Sequence, residues 1–278
     1  MESFRITKKQ IVFIFLFIVI SFFIYFLINN LNKNTKIVFC NVGQGDGTYM
    51  RIENKIDVLI DAGPDKSILS CLGKNMPFWD KQIEIAFLSH PNKDHYQGFY
   101  YINERYKIIN FITIKTPFTT NSYKKLINDL IKKNIKIRYY FKDEKIKIDK
   151  NTYFLFFWPE KNLVSAKDNN YSQIMIFNKN NLNILFTGDA DYKILEKATK
   201  NKKLFNKKIK ILKIPHHGSK NGINKKILST IKPEIAVISV AKKNSYGHPN
   251  KEILDILKAL NIKIKRTDIE GDIIFKIN

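Results

Sequence analysis

Two cysteines in 278 residues, Cys40 and Cys71, are too few for a disulfide-rich scaffold or for a zinc site built of thiolates alone. Both are read as free, small hydrophobes. Acidic residues are scarce as well: 25 Asp+Glu face 48 Lys+Arg, a net charge of +23. There is no GxxxxGK(S/T) phosphate loop, which argues against an ATP site or other nucleotide cofactor, and no GxSxG nucleophile elbow. No internal repeat occurs. One long apolar run is present and no second, so the chain does not read as a channel.

What is present suits a folded protein. A hydrophobic content of 44% with 13% aromatics is too high for a disordered chain and supports a full core. The basic excess favours polyanionic partners, nucleic acid or an anionic membrane surface. It also follows from a chain-wide enrichment in Lys, Ile and Asn, so charge alone does not choose between these readings. Residues Ile11 to Ile28 (IVFIFLFIVISFFIYFLI) are long enough to cross the hydrocarbon core as a helix. Arg5, Lys8 and Lys9 precede the run, and no small-x-small cleavage site follows it. The expectation is a short tail (1–10), a single-pass anchor (11–28), a polar linker (29–36) and one folded domain (37–278). The domain is expected on the extracytoplasmic side.

Within the domain, Ile37–Cys40, Tyr49–Ile52, Asp57–Ile60, Ile83–Leu88 and Thr152–Trp158 read as strands. So do Lys208–Ile214, Ile235–Val240, Ile262–Arg266 and Ile273–Ile277. Gln173–Phe177 and Leu182–Phe186 read as a hairpin about Asn178–Asn181. Ser122–Lys133 and Lys251–Leu260 show helical spacing. Many strands with interspersed helices imply an α/β architecture of two packed sheets with helices outside.

The five histidines, His90, His95, His216, His217 and His248, all fall in loops beyond apolar strand-like runs. Ligands gather at strand ends, and imidazole is the commonest metal ligand. His90, Asp94 and His95 offer two imidazoles and a carboxylate within six residues. Asp189 follows a strand in Thr187-Gly188-Asp189, a weak signal alone because Asp after Gly often turns or caps a helix. Ile214–Ser219 (IPHHGS) is more specific, and Ser245–Pro249 (SYGHP) follows another strand.

With these residues in view, the chain resembles the metallo-β-lactamase fold, in the variety carried as the soluble domain of ComEC-type DNA-uptake competence proteins. The motifs are Asn41–Asp46 (NVGQGD), Asp61–Gly63, Ser89–His95, Thr187–Asp189, Pro215–Ser219 and Tyr246–Pro249, in that order. The resemblance implies a four-layer αββα sandwich behind the transmembrane helix. It implies that His90, Asp94, His95, Asp189 and one of His216 and His217 hold one or two divalent ions, Zn or Mn. Asp94 and His248 are the implied catalytic residues. Asp46, Asn169, Ser172 and Ser219 are the implied substrate-binding residues. Asn92 departs from the fold family, which usually has His at that metal-ligand position. An amide is the weaker ligand, so one ion is expected to bind loosely and Mn²⁺ stands beside zinc.

The resulting expectation is a membrane-anchored hydrolase in which metal-generated hydroxide attacks a phosphodiester, most simply DNA. Lys203, Lys207, Lys208, Lys210, Lys242 and Lys243 are expected to track the phosphate backbone. Two alternatives stay open: a small ester or lactone hydrolase on the same site, or a catalytically inactive DNA-binding accessory of DNA uptake.

Overall fold

A computed structural model of the protein describes residues 7–31, 34–200 and 207–277. Lys203, most of the first ten residues and positions 32–33 of the linker lie outside the described residues. Helix α1 (Lys8–Leu31) is apolar around its circumference, and its side chains from Lys8 to Tyr25 are exposed. By length and composition it is able to cross a membrane.

Two seven-stranded sheets follow. The first runs β14 (Ile273–Ile277), β1 (Thr35–Phe39), β2 (Gly47–Ile52), β3 (Ile56–Ala62), β4 (Gln82–Phe87), β5 (Lys107–Thr113), β6 (Lys136–Tyr139). The second runs β13 (Lys263–Arg266), β12 (Ile235–Ile238), β11 (Ile211–Lys213), β10 (Leu182–Phe186), β9 (Ile174–Lys179), β8 (Thr152–Trp158), β7 (Lys145–Lys147). Strands β3 to β6 are parallel, and so are β10 to β13. Alternate side chains of each sheet meet between them: Phe39, Phe87, Phe154, Phe156, Phe177 and Phe186 fill that layer. Each buried ring contributes roughly 1.5–3 kcal/mol.

The outer faces are covered by helices. Helices α2 (Ser67–Asn75), α3 (Lys93–Tyr96), α4 (Gly98–Arg105) and α5 (Asn121–Lys132) lie along the first half of the chain. Leu72, Phe99 and Leu126 from α2, α4 and α5 pack on the first sheet. Helix α6 (Tyr192–Thr199) and the helices Lys225–Ile231 and Lys251–Ala259 pack on the second through Leu195, Leu228 and Leu257. The layer order is αββα. Every strand read from the sequence forms, with boundaries shifted by up to three residues. Strands β5, β6 and β7 were not legible, β6 and β7 being short, exposed and lysine-rich.

One sequence expectation is corrected. Cys40 and Cys71 are joined in a disulfide, with 5.7 Å between their Cα atoms. Cys40 follows β1 and Cys71 lies in α2. The sheet–helix packing brings together two residues 31 positions apart, a distance that spacing alone does not reveal.

Because the parallel strands point one way, the loops after β3, β4, β10, β11 and β12 collect at one end of the sandwich. The chain passes from α1 into β1 at the other end.

Candidate metal centre

At the loop end, Asp94, His95, Asp189 and His217 come together, each offering one ligand atom, all within 4.8 Å of one another. They arrive from three separate segments. Asp94 and His95 sit in the four-residue helix α3 after β4, Asp189 in the turn after β10, and His217 in the turn after β11. His95 Nε2 lies 3.3 Å from Asp189 Oδ1, and His217 Nε2 lies 3.2 Å from Asp94 Oδ2 and 3.6 Å from Asp189 Oδ2.

The backbone is bent to make this cluster. His216 and His217 both occupy left-handed conformations, φ 51° and 53°, uncommon for side chains of this size. That turn sends His217 inward and leaves His216 at the margin: their side chains are 2% and 32% exposed. His216 Nε2 is 3.9 Å from Asp189 Oδ2. Of the two, His217 is the one that this turn brings among the converging groups. Gly45 is required where the opening turn meets α3, since a Cβ there would lie 2.3 Å from the Asp94 carbonyl oxygen.

Second partners fix the ligand faces. His95 Nδ1 donates to Asp61 Oδ2 at 2.9 Å, and His217 Nδ1 donates to the Ser239 carbonyl at 2.9 Å. With Nδ1 so engaged, each Nε2 turns its lone pair to the cluster. Asp61 also accepts the Ser89 N–H and hydroxyl, both at 2.8 Å. Asp46 joins Asp61 and His95 in a second acidic group and pairs with the buried Lys213 ammonium. Asp61 and Lys213 were not singled out as site residues from the sequence. Asp61 had a signal, in the Asp-Ala-Gly motif at a strand end; Lys213 sits inside a strand and had none.

The charges explain the titration of these groups. Burial opposes ionisation of Asp189, yet His95 and His217 hold its carboxyl well below the ordinary range. Burial works against protonated His217, and Asp189, Asp46 and Asp94 still push it up to about 9. His95 is raised in the same way by Asp189, Asp94 and Asp61. His90, buried and beside His95, is pushed down to about 3. Buried carboxylates thus face the imidazoles, with Asp94 alone of the four partly exposed, a setting that favours a cation.

Three observations fit a divalent metal. The donors are imidazole and carboxylate, the set used by zinc and manganese. The ligand atoms converge. Buried His95 Nε2, His90 Nε2 and Asp189 Oδ1 have no hydrogen-bond partner, which is rare for buried polar atoms.

Solved structures share this architecture. Igni18, a metallo hydrolase from the archaeon Ignicoccus hospitalis, superposes with a TM-score of 0.58 at 14% identity, covering 87% of this chain and 100% of that one. A metal-dependent hydrolase of the β-lactamase superfamily gives 0.55 at 15% identity, covering 88% and 98%. The chain has the metallo-β-lactamase fold. By sequence it is similar to ComE operon protein 3 of Bacillus subtilis, 26% identical over 272 residues, covering 91% of this chain and 34% of that protein. It is also similar to Recombination protein 2 of Haemophilus influenzae, 24% identical over 269 residues, covering 92% and 31%. The chain thus spans about a third of the length of these curated relatives. No family model matches it.

In this metallo-β-lactamase fold the remaining expected residues divide between cleft and frame. A cleft of about 410 Å³ opens beside the cluster, lined by Phe118, Asn169, Asp189 and His216 among others. Asn92 is not one of the four converging groups; its amide donates to Asn169 Oδ1 at 3.0 Å. His90 is 4.3 Å, ring to ring, from His95. His248 stands 5.8 Å, ring to ring, from His216, with a buried, unpartnered Nδ1. Burial, with His216 and His217 nearby, lowers its pKa. Ser172 is fully buried and its hydroxyl accepts the Asp189 N–H at 3.2 Å. Ser219 is buried under the His216–His217 turn and accepts the Asn221 N–H at 3.3 Å.

Proposed function

We propose that this chain is a membrane-anchored, metal-dependent phosphodiesterase whose substrate is DNA. The observation that carries the reading is the convergence of Asp94, His95, Asp189 and His217, with the buried His95 Nε2 and Asp189 Oδ1 left without a hydrogen-bond partner. Those four would hold a divalent ion, zinc or manganese, which when bound would supply Lewis-acid charge stabilisation and lower the pKa of water from 15.7 toward about 7.

The chain's own groups do the rest. Asp61 and the Ser239 carbonyl keep His95 and His217 in the tautomer that presents Nε2. Lys213 neutralises Asp46, so that Asp46 orders the opening turn without adding a free charge. His248, half-buried beside His216, would be the proton donor to a leaving oxygen. Asn169, in the cleft wall, is placed to donate to a phosphoryl oxygen.

DNA as substrate is supported by the basic balance of the chain and by similarity to a protein named for recombination. The anchor reading rests on α1. The Cys40–Cys71 bond supports an extracytoplasmic domain, because structural disulfides persist in oxidising compartments. The test is hydrolysis by the full chain in detergent, with Mn²⁺, Zn²⁺ or Mg²⁺, of single- and double-stranded DNA, RNA and simple esters. DNA cleavage that falls steeply with added salt is expected. A metal-loaded chain that cleaves esters indifferently to salt and leaves DNA intact overturns the reading.

A further inference from the structure

The end of the sandwich opposite the metal centre has its own chemistry. The loop between α2 and β4 presents Phe78 and Trp79, 81% and 59% exposed, packed edge to face at 4.8 Å. Two contacts pin this loop beside the start of β1. The Lys36 ammonium donates to the Asn75 carbonyl, and Arg51, opposite Lys36 across the β1–β2 ladder, pairs with Asp80 at 2.9 Å. Two residues beyond Trp79, Lys81 begins the wall of an open cleft of about 710 Å³. Arg105, Lys107, Lys133 and Lys136 line it as well, all exposed. Among the lining residues Glu104 carries the opposite charge.

We propose that Phe78, Trp79 and this basic cleft form a docking surface for a bilayer containing anionic phospholipid, seating the domain on the membrane that α1 crosses. The proposal rests on the anchor reading of α1. Continuity and charge both argue for a bilayer. Four residue steps separate Leu31 of α1 from Thr35 of β1, at most about 14 Å of chain. The β1 end of the sandwich is therefore held within reach of the headgroups. That end carries both an amphipathic indole, which favours the membrane–water boundary, and a set of cations matched to lipid phosphates. The metal centre lies at the far ends of the same strands, roughly 20 Å away along β4. Seated in this way, the domain turns its cleft toward solution.

The experiment reads Trp79 in the full chain. The second tryptophan, Trp158, is 2% exposed and serves as the unresponsive control. The chain is reconstituted into vesicles of phosphatidylcholine, with or without phosphatidylglycerol, carrying brominated acyl chains. Bromine is expected to quench Trp79 in the anionic vesicles, and Trp79→Phe to abolish the quenching. Reversing Lys81 and Lys107 to Glu is expected to weaken the dependence on anionic lipid roughly fivefold or more per side chain. If the chain floats with the vesicles and Trp79 stays unquenched, the docking surface is overturned while the anchor stands. If the chain does not float, the anchor reading falls and this proposal falls with it. If Trp79 answers to an added oligonucleotide and not to lipid, the cleft is a nucleic-acid surface and the proposal is wrong.

Discussion

Strand β3 carries a buried aspartate near each end, and the two are put to different use. Asp57, at the anchor end, accepts from Tyr49 Oη at 2.5 Å and pairs with Arg51, which also reaches Asp80. Asp61, at the loop end, accepts from Ser89 and from His95 Nδ1. Burial raises the pKa of both carboxyls. Their roles diverge because the topology sets different neighbours beside them. Beside Asp57 stands a permanent cation, and the result is a brace. Beside Asp61 stands an imidazole with a free second nitrogen, and the result is a positioned ligand. A side chain's type and burial do not define its function; the partner across the sheet does.

Three experiments press on that contrast. The largest effect is expected from Asp189→Ala, which removes the carboxylate between His95 and His217. Metal content should vanish and hydrolysis fall on the order of 10³-fold or more, with circular dichroism unchanged. Retained activity would take Asp189 out of the site. Next comes Asp61→Asn, which keeps the shape and loses the charge on His95. Metal affinity by calorimetric titration should weaken about tenfold, at the low end for a partner of a ligating histidine. An unchanged affinity would erase the distinction between the two aspartates. The smallest effect belongs to Asp57, whose carboxyl is raised by burial to about 6 from a reference of 3.8. The folded state holds that proton more tightly than the unfolded chain does. The stability contributed is full below about pH 4 and is lost as pH rises through about 6. Thermal melts of the wild type against Asp57→Asn should diverge across that window; parallel profiles would show that Arg51 governs the group instead.

The loop end was far more legible in the sequence than the anchor end. His95 and Asp94 stand out because they fall together in a turn after an apolar run; Asp189 is a weak signal alone and gains weight only beside the other motifs. The choice between His216 and His217 did not, because it depends on a left-handed backbone. Lys213 was hidden because a lysine inside a strand looks like an edge residue until its sheet is buried. The disulfide was hidden because two cysteines spaced 31 apart meet through helix-on-sheet packing. Phe78 and Trp79 carried no pattern at all. The contacts of Lys36 with Asn75 and of Arg51 with Asp80 are what set them beside the start of β1.

The Cys40–Cys71 bond has a practical consequence for anyone preparing this protein. Cys40 immediately precedes the turn that leads to Asp46, so the covalent tie to α2 steadies the approach to the acidic cluster. Material produced in a reducing cytosol would carry both thiols free and would hold that turn by packing alone. Thiol titration of each preparation therefore belongs ahead of any measurement of its metal content.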